Sequence, residues 1–163
     1  MKLELGWQSY GLAEVAEVND SMRSGMLTMG KKVARFERMF AEYVGVRNAV
    51  MVNSGSSANL LAVAALVETG VLKPGMTIPV PALTWSTTLW PILQHGMNAE
   101  LIDCDPKTLQ APPMLHGRCF AAHIMGNAAQ EHAVLEDCCE ALGTQIAGRH
   151  VGATATAATF STY

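Results

Sequence analysis

Five stretches of this 163-residue sequence carry side chains whose types and spacing could do chemistry. The first is VNSGSSAN, residues 52–59, placed between an apolar run and an Ala/Leu helix pattern. Free N–H groups at a helix start favour an anion, and serine hydroxyls such as those of Ser56 and Ser57 add donors. Small residues let a phosphate approach closely. The plainer reading is a capped helix, with Ser56 or Ser57 as the cap. The GxxxxGK[ST] pattern of a P-loop is absent.

The second stretch, PALTWSTT at 81–88, follows another apolar strand pattern. It therefore belongs at the carboxyl edge of a sheet, where ligands of α/β folds bind. Trp85 could stack there on a flat ring, or simply pack in the core. Trp7 and Trp90 read as packing. The third stretch is LEDCCEALG at 135–143. Asp137 ends an apolar strand, where an unpaired carboxylate is expensive. It needs a cationic or N–H partner, and a protonated pyridine nitrogen is one. A structural hydrogen bond is the alternative. Glu136 points the opposite way along the strand and reads as structural or solvated.

His123, in AAHIMGN, is either a satisfied core histidine or a contact to a ring substituent from a strand end. Ser161, in TFSTY, could give a phosphate contact from the end of a strand, or lie in a frayed terminus. His95, His116, His132 and His150 show no ligand spacing, and no metal site is expected. Cys104, Cys119, Cys138 and Cys139 form no CxxC pair and read as free thiols, as in a reducing cytoplasm.

These groups need a scaffold. Helices are expected from Gly11 to Met22, Lys32 to Tyr43, Ala58 to Glu68 and Ser86 to His95. Apolar strands are expected at 49–52, 77–80, 99–103, 118–124 and 133–136, with a small-residue strand region over 151–161. Alternating strands and helices signal an α/β sheet, mostly parallel with helices on both faces. Two connections look pruned, and one of them, between Asp103 and Arg118, holds APP with little helical pattern. Only Met125 to Glu131 separates the fourth and fifth strands, where a parallel crossover needs about a dozen residues. Either those strands are not ordinary parallel neighbours or a crossover helix has been deleted.

Composition narrows the classes. Half the residues are hydrophobic, so a core can form. A net charge of -3 with 11 scattered Lys and Arg gives no surface for nucleic acid. No apolar run is long enough to span a membrane, and the N-terminus lacks the apolar run of a signal peptide.

Taken in order, SGMLTMGKKVARFERMFAEYVGV, NSGSSANLLAVAAL, LKPGMTIPVPALTWSTTLWPI, AELIDCDPKTL, AAHIMGNAA and LEDCCEALGTQIAGRHVGATATAATFSTY resemble the DegT/DnrJ/StrS family. Its members are nucleotide-sugar aminotransferases and related dehydratases that use pyridoxal 5'-phosphate on fold type I. The resemblance implies that Ser56 and Ser57 hold the phosphate, with Ser161 as a further ligand. It implies that Trp85 stacks on the ring and Asp137 pairs with the ring nitrogen. Glu140 falls near the ring oxygen, where many relatives carry Gln. Relatives place a Schiff-base Lys, or His in dehydratases, shortly after the FS motif. Lys2, Lys31, Lys32, Lys73 and Lys107 match no such place.

The expectation is thus that 1–163 is a partial large domain, without the catalytic Lys or the C-terminal small domain. The parent would be an aminotransferase acting on a keto-sugar nucleotide with an amino-acid donor, as a homodimer. A dehydratase fragment, a non-catalytic remnant and a generic phosphate-binding module are the alternatives.

Overall fold

The computed structural model describes residues 10–112, 118–129 and 133–162. Trp7, His116 and His132 lie outside them. Two helices open the described chain, α1 (Leu12–Ser24) and α2 (Lys31–Val44). Gly25 and Gly45 end them in left-handed conformation, φ 70° and 84°, which only glycine adopts without steric cost. Lys32 ties the pair together, its Nζ 2.6 Å from Glu17 and 2.9 Å from Asp20. No residue of α1 is buried, so Leu12, Val18 and Met22 face outward.

Helix α3 (Gly55–Glu68) starts three residues before the sequence suggests. Its cap is Ser54, whose Oγ accepts from the Ser57 N–H at 3.2 Å. Ser56 and Ser57 are inside the first turn, so neither is the cap. After α3 come β1 (Thr77–Pro81), α4 (Ser86–Gln94), β2 (Asn98–Ile102), β3 (Phe120–Ala122), β4 (Leu135–Asp137), β5 (Gln145–Ile146), β6 (Arg149–His150) and β7 (Ala157–Thr159).

Strands β1 and β2 pair in parallel, and β3, β4 and β7 form a second parallel ladder in that order. β1 runs beside β3. Phe120 and Leu135 point to the face covered by α3 and α4, where they join Val63, Leu66, Ile78, Val80 and Ile92 in the main core. Burying each such side chain is worth about 1.5–3 kcal/mol. Cys119 and Ala121 alternate to the opposite face and pack on Ala129 and Ala133. That face is covered by the connection between β3 and β4 and by the loop carrying β5 and β6.

Three expectations change. Residues 49–52 join no ladder, and Val50 and Met51 are exposed. Continuous apolar character marks burial only once a neighbouring strand is present to bond the backbone. β3 and β4 are ordinary parallel neighbours, in register from Phe120↔Leu135 to Ala122↔Asp137. They are shorter than the apolar runs, so their connection spans 123–134, about the dozen residues that a parallel crossover needs. The 151–161 region is only partly strand. Gln145–Ile146 pairs antiparallel with Arg149–His150, and β7 has three residues.

Candidate functional site

Parallel strands aligned in register bring their carboxyl ends together, and the loops that follow them converge there. β4 ends at Asp137, β7 at Thr159, and β3 at Ala122 before His123. The start of α3 and the start of α4 face the same edge. Between them lies a cavity of about 850 Å³. Ser56, Trp85, Asp137, Glu140 and Ser161 all line it, as do His123, Asn59, Thr87 and Cys139. Ser57 does not. Its N–H and Oγ are both engaged with Ser54 Oγ, the hydroxyls 3.1 Å apart.

The end of the cavity at the start of α3 is built on glycine. A Cβ at Gly55 would lie 2.6 Å from Cys139 Sγ and 3.2 Å from Ser161 Cβ. Only glycine lets α3 begin against those two residues. Ser54 caps the Ser57 N–H, and Ala58 N bonds Ser54 O. The N–H groups of Gly55 and Ser56 precede the first helical bonds and are left for an outside acceptor. Ser56 Oγ and Thr87 Oγ1, 3.1 Å apart, bring two hydroxyls to one place. Among the described residues lining the cavity there is no Lys or Arg.

Asp137 is the buried acid of the site. Its Oδ2 accepts from Asn59 Nδ2 at 2.8 Å and from Thr88 Oγ1 at 2.7 Å. Its Oδ1 accepts from Cys139 N at 3.1 Å. No salt bridge reaches it from the described residues. The Cys139 thiol also hydrogen-bonds this carboxylate, so all its partners are neutral and the weakest of them, an S–H, can give way to a charged donor. Trp85 precedes the first residue of α4 and is 67% exposed, so it is a wall of the cavity and not core. Trp90 is also largely exposed, against the packing role expected for it.

Glu140 is held by the Met125 N–H at 2.8 Å. Met125 is left-handed, φ 52°, in the tight turn Ile124–Gly126, and the Glu140 bond pins that turn beside the cavity. Burial, then the negative charge of Asp137, pushes the Cys139 thiol well above its ordinary range. Cys138 is pushed up by burial and by Glu136 and Asp137. Neither is poised as a nucleophile.

His123, Glu136 and Cys138 bring ligand atoms within 4.8 Å of one another. His123 Nδ1 accepts from the Ala129 N–H at 3.0 Å, so the ring proton is on Nε2. That proton points to Glu136 Oε2 at 3.3 Å, and the same oxygen accepts from the Gly152 N–H. A metal on Nε2 would leave a protonated Nδ1 facing another N–H. The cluster is therefore a structural tie, and His123 is a satisfied core histidine. Glu136 is buried and structural, not solvated.

Asn59 and Thr88 were not singled out from sequence. Asn59 had a legible signal, a lone amide just before the apolar run Leu60–Val67 of the helix. Thr88 had none, since one threonine among several on a helix start carries no mark.

The sequence pattern of the DegT/DnrJ/EryC1/StrS aminotransferase family matches residues 9–115 and 112–163. The chain belongs to this family. It is 35% identical to the GDP-4-keto-6-deoxy-D-mannose 3-dehydratase of Yersinia pseudotuberculosis, aligned over 96% of this chain and 44% of that protein. A crystal structure of a GDP-4-keto-6-deoxymannose-3-dehydratase variant with bound GDP-perosamine superposes with a TM-score of 0.90 at 30% identity. It covers 99% of this chain and 47% of that one. The Escherichia coli enzyme with bound hydrated pyridoxal phosphate gives 0.85 at 31% identity, over 93% and 44%. The chain thus spans about half the length of the relatives it matches. Its fold is fold type I, with the parallel sheet and helices of this DegT/DnrJ/EryC1/StrS member laid out as in those structures. Among the described residues no helix is long and apolar enough to cross a membrane.

Proposed function

We propose that this chain supplies the pyridoxal 5'-phosphate site of an enzyme that acts on a nucleotide-linked keto-deoxysugar. The observation that carries the reading is the meeting of Ser56, Trp85, Asp137 and Ser161 on one cavity. The residues fit the cofactor by charge as well as by place. A phosphate monoester needs donors, and the α3 start gives N–H groups and hydroxyls. A protonated ring nitrogen needs an anion, and Asp137 is a buried acid with only neutral partners. A polyphosphate would instead want Lys or Arg, which the described lining lacks. That difference disfavours a generic nucleotide site.

In this reading Ser56, the N–H groups of Gly55 and Ser56, and Ser161 hold the phosphate. Ser57 acts on it only through the cap. Trp85 covers one face of the ring and keeps water from it. Asp137 holds the proton on the ring nitrogen. Glu140 fixes the turn at 124–126 and borders the ring's edge. When bound, the cofactor supplies an electron sink for charge that develops at a carbon beside its attached amine. The residue that moves the substrate proton is assigned to none of residues 1–163, and a small domain beyond them belongs to the same proposal.

The resemblance in sequence implies amino transfer; the reaction proposed here is 3-dehydration, because relatives at 30–35% identity are 3-dehydratases. The substrate class of the proposal is that of the same relatives, a GDP- or dTDP-linked 4-keto-deoxysugar. A homodimer in the cytoplasm completes the proposal, supported by the outward apolar residues of α1 and by four cysteines without a disulfide.

Pyridoxine 5'-phosphate, which has no aldehyde to react with surface lysines, tests the site. It should quench tryptophan fluorescence on binding, and Trp85→Leu should remove most of that quench. Binding with a quench undiminished in Trp85→Leu would reject the arrangement. For the whole enzyme, sugar deoxygenation without stable amination of the product is expected, and an aminated sugar product would restore the transferase reading.

A further inference from the structure

We propose that Asn59 and Thr88 are positioning residues that aim Asp137 at the ring nitrogen, and that Thr159 and Thr84 set their polarity. This deepens the cofactor reading and rests on it.

Four elements meet at the Asp137 carboxylate. Asn59 comes from the second turn of α3, Thr88 from α4, Asp137 from the end of β4 and Thr159 from the end of β7. All four are buried. The proton order along the chain of bonds has one solution. An ionised carboxylate only accepts, so Asn59 must turn its NH₂ toward Asp137 Oδ2. That leaves Asn59 Oδ1 facing Thr159, whose hydroxyl then donates at 2.6 Å. On the other side Thr88 donates to the same Oδ2, and Thr84 Oγ1, 2.9 Å away, donates to Thr88. Each arm of the network thus ends in a donor to the same oxygen, Oδ2.

The consequence is a division of labour between the two carboxylate oxygens. Oδ2 is filled by two side-chain donors. Oδ1 accepts the Cys139 N–H, and beyond that the carboxylate is touched only by the Cys139 thiol, a weak donor that a charged N–H displaces. A carboxylate with one oxygen anchored on both sides cannot rotate freely, so the direction in which Oδ1 accepts is fixed. A site that must hold a charged hydrogen bond at a set angle gains from that rigidity. Structural packing alone would not need two hydroxyl–hydroxyl or hydroxyl–amide bonds of matching polarity behind one acid.

The test compares pyridoxine 5'-phosphate with its analogue whose ring nitrogen is replaced by C–H. Calorimetry on the full chain gives the affinity ratio of the two. In the wild type the nitrogen ring should be preferred, and Asp137→Ala should erase the preference. Asn59→Ala and Thr88→Val should each cut it about tenfold, the scale of one hydrogen bond to a charged group. Thr88→Ser, which keeps the hydroxyl, should retain it. The ultraviolet band of the bound ring should also lose its protonated form at lower pH in Asn59→Ala and Thr88→Val than in the wild type. If Asn59→Ala does not fold, Thr159→Val tests the same arm from one bond further away. A preference that Asp137→Ala removes but Asn59→Ala, Thr88→Val and Thr159→Val leave intact overturns this inference alone. No preference in the wild type overturns the ring pairing itself.

Discussion

The side-chain amide of Asn59 donates to Oδ2 of Asp137 across 2.8 Å, joining the second turn of α3 to the last residue of β4. This bond links the helix whose start carries Gly55 and Ser56 to the acid, so those two sides of the cavity are held at a fixed separation. An extended ester with a phosphate at one end and a ring nitrogen at the other would span both.

Asp137→Asn separates those two ends experimentally. The variant keeps the shape but not the charge. Affinity for pyridoxine 5'-phosphate should fall at least about tenfold, the cost of unpairing one partner of a desolvated charge pair. Affinity for inorganic phosphate should stay as it was, because the α3 start is untouched. Titration calorimetry reads both, and equal losses for the two ligands would mean that the acid serves only the fold.

At Gly55 the expected damage is steric. An added methyl carbon would meet Cys139 Sγ at 2.6 Å and Ser161 Cβ at 3.2 Å. Gly55→Ala should cost about 1–3 kcal/mol of stability and weaken phosphate binding. Cys139→Ala removes the closer atom, so the double variant should recover much of the loss. Additive losses in urea unfolding would place the contact elsewhere.

Ser54 and Ser57 differ in kind. Ser54→Ala removes the cap from α3 and should lower stability by about 1 kcal/mol. Ser57→Ala leaves the capping bond to its own N–H in place and should do less. Thermal denaturation of the two variants decides the order, and a larger loss at Ser57 would return the cap to the position read from sequence.

These cases also mark what sequence could carry. Periodicity located α2 and α4 within a residue or so, because one-sided burial fixes both pattern and helix. Asp137 was legible because a carboxylate closing an apolar run demands a partner. The N-cap lies two or three residues before the expected one, since three serines and a glycine in succession offer equivalent caps and only backbone geometry selects Ser54. The strand expected at 49–52 failed for another reason. Its apolar residues report what the segment prefers to pack against, not whether a ladder partner lies alongside. The Asn59–Asp137–Thr88 network was invisible because its members are far apart in sequence and only the folded chain brings them together.

Cys138 gives the chain a pH dependence with a definite sign. Burial and the nearby Glu136 and Asp137 raise its thiol above the ordinary value of 9.0. The unfolded thiol ionises near that value while the folded one stays protonated. The folded state therefore binds the extra proton, and stability falls as pH rises past about 9, by up to roughly 1.4 kcal/mol per pH unit. Below pH 9 the thiol should contribute no slope. Cys138→Ala should flatten the alkaline limb of a urea-denaturation series, and an unchanged slope in that variant would assign it to other groups.

The His123–Glu136 tie predicts indifference to metal. His123 Nδ1 already accepts from Ala129 N–H, and Nε2 spends its proton on Glu136. Zinc on Nε2 would drive that proton to Nδ1, against the Ala129 N–H, so one equivalent of zinc should leave the melting temperature where it was. Glu136→Leu should instead be costly, about 2–4 kcal/mol, because the His123 and Gly152 N–H groups would both be buried without an acceptor. Glu136→Gln keeps an oxygen for one of them and should fall between. A melting temperature raised several degrees by zinc, and not raised in His123→Ala, would mean that the imidazole carries its proton on the other nitrogen and that the cluster is a ligand set after all.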